Sequence, residues 1–110
     1  MASSFNQNIG NWDTSNVTDM GSMFNHAKAF NQDIGNWNTS NVTDMGFMFN
    51  HAKAFNQDLS AWDVSNVTDA SHIFEDSGLS QENYCKMITT NEGWKRLSEE
   101  FELGLDYTCE

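Results

Sequence analysis

SNVTDM stands at residues 15–20 and again at 40–45, and the variant SNVTDA stands at 65–70. Phe5, Phe30 and Phe55 recur at the same 25-residue interval, as do Trp12, Trp37 and Trp62, and Val17, Val42 and Val67. The copies are 5–29, 30–54 and 55–79, and the first two differ only at Asn8/Asp33, Asp13/Asn38 and Ser22/Phe47. One such unit cannot bury an apolar face by itself, whereas stacked neighbours can. The period predicts an α/β protein: a β/α solenoid, or superhelix, of short strand plus short helix repeats over 1–79, with a helical C-terminal cap over 80–110. A parallel strand–helix–strand connection makes that solenoid right-handed.

Within a unit, alternation puts Trp12 and Thr14 on one side of a short strand and Asp13 and Ser15 on the other. Val64 replaces Thr14 in the third copy, as an inward column allows. Ser15-Asn16 reads as a turn. Thr18 then N-caps a helix, Asp19 suits its first turn, and Met20, Met23, Phe24 and Ala27 form its apolar face at i, i+3, i+4 and i+7. Asn16, Asn41 and Asn66 make a stacked column expected to satisfy buried backbone groups.

The cap departs from the repeat. Ser80 can N-cap a helix carrying Tyr84, Met87 and Ile88. Asn91-Glu92-Gly93 reads as a break, Trp94, Leu97 and Phe101 as a second helix, and 103–107 as an extended end. Cys85 and Cys109 are the chain's two cysteines, and both lie in the cap. The even count predicts a disulfide between them and an oxidising compartment.

Eight Phe, four Trp and six Met are too many for a disordered acidic chain. Sixteen acidic against five basic residues give a formal charge of −11. That sign disfavours nucleic acid and anionic lipid, and it favours cationic partners or divalent metal. No apolar run is long enough for membrane insertion. The opening Met1-Ala2-Ser3-Ser4 reads as a boundary inside a longer protein.

Taken together, FNQDIGNWNTSNVTDMGFMFNHAKAF resembles the repeat of a bacterial surface-protein family of unknown function. That family was first described from mycoplasma lipoproteins and is often called BspA-like. The tail LSQENYCKMITTNEGW…LGLDYTC is similar to the ending that often follows such arrays. The resemblance implies leucine-rich-repeat-like units, display on the bacterial surface or secretion, and in some members adhesion to a host. It supplies no catalytic residues.

No nucleophile elbow, phosphate-cradling glycine loop or HExxH helix occurs in the sequence, so no enzyme is expected. His26, His51 and Asp76 share one repeat position, but helical layers roughly 8–10 Å apart could not converge on one metal ion. The Asn/Asp density invites a calcium-dependent binding module, although the EF-hand and RTX patterns are absent. No other cofactor is implied. Asn16, Asn38, Asn41 and Asn66 begin glycosylation sequons that the repeat itself generates.

The reading that remains is a surface. Asp13, Ser15, Asn38, Ser40, Asp63 and Ser65 form one exposed column, and Phe47 interrupts two near-identical copies with an aromatic at an outward site. These residues are the expected contacts of a non-catalytic interaction module, adhesive or protein-binding, for an unknown protein or glycan ligand. The alternative is a structural spacer. No N-terminal cap matches the C-terminal one, so self-association through the first repeat is also expected.

Overall fold

The computed structural model describes residues 3–110; Met1 and Ala2 of the opening stretch lie outside them. The copies stack in register as three layers: layer 1 (5–29), layer 2 (30–54) and layer 3 (55–79). The expected β/α solenoid, and with it the leucine-rich-repeat-like unit, is not what forms. Among the described residues the only helices are in the cap, and there is no sheet. Strand character is confined to the single-residue parallel bridges Asp19–Asp44 and Asp44–Asp69.

The reason lies in the segment read as a helix. Ser22 and His26 have φ of +58° and +63°, and their counterparts Phe47, His51, His72 and Asp76 match them at +56° to +59°. A left-handed residue every fourth position cannot continue a right-handed helix. The amides divide instead between two tasks. The N–H groups of Met23, Asn25 and Ala27 close turns onto the carbonyls of Met20, Ser22 and Phe24 at 3.0–3.2 Å. Those of Met20, Ser22, Phe24 and His26 reach across to the carbonyls of Asp44, Gly46, Met48 and Asn50 at 2.8–2.9 Å. Layer 2 repeats the pattern, with Met45, Phe47, Phe49 and His51 donating to Asp69, Ser71, Ile73 and Glu75. Thr18 therefore caps no helix, and Trp12–Ser15 belongs to no strand. The apolar spacing of Met20, Phe24 and Ala27 still turns those side chains inward, and all three are buried.

This bonding gives the stack a polarity. Along these segments, the interlayer N–H groups point toward the cap and the interlayer carbonyls point toward layer 1. Aromatic columns run the same way. Phe30 lies 5.8 Å from Phe5 and 6.1 Å from Phe55, and Trp37 lies 6.3 Å from Trp12 and 6.4 Å from Trp62. Each indole N–H donates to a carbonyl one layer back, Trp37 to Ile9 and Trp62 to Ile34. The expected inward column is present, since Thr14, Thr39 and Val64 are all buried.

The cap holds α1 (Gln81–Thr90) and α2 (Glu92–Glu100). Ser80 N-caps α1 as expected, accepting from Asn83 N–H. The break narrows to Asn91, whose carboxamide oxygen caps α2 while its Nδ2 donates to Ser60 and Trp62 carbonyls. Phe101 falls just beyond α2. The cap imitates a further layer. Trp94 stacks 6.4 Å from Trp62 and donates to Leu59, continuing the Trp column. Ser80 N–H and Asn83 Nδ2 bind Asn56 as Asn56 N–H and Gln57 Nε2 bind Asn31. The carbonyls of Glu102 and Leu103 accept from His72 and Phe74, where a next layer's carbonyls would stand. Cys85 and Cys109 form the expected disulfide, Cα atoms 5.4 Å apart, and tie this tail to α1.

Gly78 stands where copies one and two have Lys28 and Lys53. A Cβ there would lie 2.2 Å from the Lys53 carbonyl oxygen, so the turn toward the cap needs glycine. Gly104 has φ +94°, and its Cβ would meet Glu75 Cα at 2.5 Å.

Candidate functional site

The exposed polar column is a row of local turns. Asp13 Oδ1 accepts from Ser15 N–H at 3.0 Å and from its hydroxyl at 2.6 Å. Asn38 with Ser40, and Asp63 with Ser65, repeat both bonds at the same distances. The serine hydroxyl, and then the amide, hold the Asp13 and Asp63 carboxyls below the usual carboxylate range. All six sequence-predicted residues are thus brought into one column, but the Ser hydroxyls and one oxygen of each Asp or Asn are already engaged. Asn41 and Asn66 donate to the carbonyls of Ser15 and Ser40 one layer back at 2.7 and 2.6 Å, so the Asn column does satisfy backbone groups, but at exposed positions and not at the buried ones expected.

The left-handed positions build a second surface. Phe47 is 42% exposed, and its ring lies 5.1 Å from that of His72. His26 and His51 stack at 4.6 Å, nearer than the helical layers the sequence suggested. Asp76 closes this column, accepting from His51 Nδ1 at 2.5 Å and from Lys53 at 2.8 Å. Lys53 and then His51 hold its carboxyl low. Positive φ is ordinary for Asp and His but uncommon for a bulky residue such as Phe. Sequence reasoning singled out Phe47 and grouped His26, His51 and Asp76 at one repeat position, but it placed them on helices, because no Gly or Asn marks the left-handed positions. Among the described residues, no three His, Cys, Asp or Glu side chains converge as a metal site.

The third surface is the end face of layer 1. Trp12 is 54% exposed, whereas Trp37 and Trp62 are 4% and 1%. Phe5, Val17 and Met23 are partly open, whereas their layer 2 counterparts are buried. The carbonyls of Asp19, Gly21, Met23 and Asn25 find no donor among the described residues, although every layer 2 counterpart is bonded. Asn25 Oδ1 is also shut from solvent without a donor.

A capped stack of turn-built repeat layers is the class that this geometry defines. The Mycoplasma protein family of unknown function DUF285 matches residues 1–88, and the chain belongs to that family. The match carries the mycoplasma-type resemblance; its BspA-like, leucine-rich-repeat detail is not supported. No curated protein and no solved structure matches the chain. Among the described residues, no helix is long and apolar enough to cross a membrane.

Proposed function

We propose that this chain is a non-catalytic interaction module, presented outside the cell or on a bacterial surface, that binds a protein or glycan through the ridge carrying Phe47. The observation that carries the reading is Phe47 itself. An aromatic side chain stands exposed on a left-handed backbone where the near-identical first copy has Ser22. Exposed aromatics anchor contacts when a partner desolvates them. The closed disulfide supports an oxidising, extracellular setting.

The test is an array of matrix proteins, mucins and glycans, probed with labelled, oxidised protein with and without calcium. A saturable hit should weaken about tenfold or more in Phe47→Ser, the loss of one central aromatic contact. The melting temperature should hold, because Ser22 already occupies that backbone conformation in layer 1. An array without a saturable hit, from folded protein, overturns the reading and leaves the spacer. A hit that appears only with calcium moves the reading to the calcium-dependent module.

A further inference from the structure

We propose that the ridge at Phe47 takes an uncharged pyranose unit of a glycan, with the sugar's C–H face on the Phe47 ring and its hydroxyl rim on the polar side chains around that ring. This deepens the interaction-module reading and rests on it, choosing the glycan over the protein.

The setting of the ring comes first. On the layer 3 side His72 meets it, with 5.1 Å between ring centroids and 30° between planes. On the layer 1 side the counterpart is Ser22, which carries no ring, and Phe47 is left 42% exposed. The opening lies between two described layers and owes nothing to either end of the stack. An aromatic face is electron-rich, so it prefers a partner that presents positively polarised hydrogens. One side of a pyranose does this, because its axial C–H bonds are polarised by the ring and hydroxyl oxygens.

The rim decides between glycan and protein. In a protein contact, an aromatic anchor is surrounded by further packing that excludes water. Phe47 has no apolar companion at the other left-handed positions, which hold Ser22, His26, His51, His72 and Asp76. The other large apolar side chains that are exposed, Trp12 and Tyr107, belong to the layer 1 end of the Trp column and to the tail. The companions of Phe47 supply hydrogen bonds instead. His51 gives Nδ1 to Asp76 and has Nε2 left, and Ser22 has an exposed hydroxyl. The Asp76 carboxylate takes His51 and Lys53 and still has lone pairs to offer. Sugar hydroxyls, which both donate and accept, match this mixture.

Local charge removes the acidic sugars. His72 brings Glu75 at 3.3 Å, His51 brings Asp76, and Lys53 is already paired with Asp76 at 2.8 Å. A sialic acid or sulfated unit on Phe47 would face both carboxylates.

The test uses the whole, oxidised chain in the presence of a chelator. Lactose, cellotetraose and chitotetraose are the neutral probes, and 3′-sialyllactose is the acidic companion, each followed by calorimetry and proton NMR. At least one neutral probe should bind saturably, move its C–H resonances upfield in the ring current of Phe47, and keep its affinity as salt rises. The acidic companion should not bind. Phe47→Leu keeps an apolar side chain and removes the π-face, so it should weaken the best neutral probe about tenfold, the scale of an aromatic contact. Phe47→Trp should hold or tighten it. If Phe47→Leu lowers the melting temperature, Phe47→Ser takes its place, since Ser22 already holds that backbone conformation.

No saturable neutral probe, no upfield shift in the bound sugar, or unchanged affinity after loss of the ring overturns the proposal. So does 3′-sialyllactose binding as tightly as the best neutral probe. The reading beneath is scored separately. A protein hit on the array that is lost in Phe47→Ser upholds the ridge and overturns the glycan, whereas an array blank in every class overturns both.

Discussion

Layer 1 and the cap are the two ends of one stack, and they differ in how the end is closed. Trp12 and Trp37 belong to copies that differ at three positions, yet one is 54% exposed and the other 4%. Trp94 comes from unrelated sequence in α2 and is fully buried in the same column. Burial here is therefore set by the neighbouring layer and not by the unit. The cap secures that neighbour with different residues that place an indole, an amide and two carbonyls where a repeat would place its own.

The largest test of this comparison pairs two tryptophans. Trp94→Ala removes a buried ring and its bond to Leu59 carbonyl, and should cost about 3–5 kcal/mol. Trp12→Ala, at the open end, should cost less than about 1 kcal/mol. Denaturant unfolding of both variants measures the difference. Similar losses would mean that the end face of layer 1 is covered in solution.

Next in size is the clip. Cys85 and Cys109 are 24 residues apart, and the bond holds the tail whose carbonyls satisfy His72 and Phe74. Loss of a disulfide closing a loop of that size costs about 2–4 kcal/mol. Cys109→Ser, compared with wild type under oxidising conditions, should show that loss in the unfolding midpoint. Amide exchange should then rise first at His72 and Phe74 and leave the layer 1–layer 2 bonds protected. Uniform exchange through all three layers would show that the stack unfolds as one unit.

Much of this was legible in the sequence. The period fixed the stacking register, Val64 opposite Thr14 marked an inward column, and Ser80 marked the start of α1, whereas Asn91, which caps α2, was legible only as part of a break over 91–93. The repeat conformation was not legible. Apolar residues at 20, 24 and 27 suit a helical face, and they equally suit successive turns with left-handed corners at 22 and 26. The usual sign of such corners is Gly or Asn. Here Ser, Phe, His and Asp occupy them, while the nearby Gly21 has no positive φ. Of the candidate surfaces, Phe47 and the polar column could be read directly. The shared repeat position of His26, His51 and Asp76 was also readable, whereas their close stacking and the carbonyl row depend on that conformation and were not.

A smaller effect separates bridging side chains from stacked rings. Asn41→Ala removes one exposed hydrogen bond to the Ser15 carbonyl, so the loss should be about 1 kcal/mol or less. Asn16 has no layer before it among the described residues, and Asn16→Ala should be closer to neutral. Thermal melting of the two variants decides. Equal losses would place the role of these Asn side chains within their own turns and not between layers.

The smallest expected effect is a pH dependence that ignores the difference between the ends. Asp13 in layer 1 and Asp63 in layer 3 are both held low by a serine hydroxyl and then its amide. A carboxyl with a folded pKa below its unfolded value of about 3.9 gives stability that is present above that value and lost as pH falls through the lower one. Melting temperature should hold down to about pH 4 and fall below it. Layer 2 supplies the control, since Asn38 makes the same two bonds without a charge. The double variant Asp13→Asn, Asp63→Asn should keep its melting temperature at neutral pH and fall less steeply in acid. The residual slope belongs to Asp58, Asp69 and Asp76, which are also held low. If the Asp13→Asn single variant flattened the slope far more than Asp63→Asn, the open end would differ from the capped end in electrostatics as well as in packing. Matched slopes would confine the difference to burial.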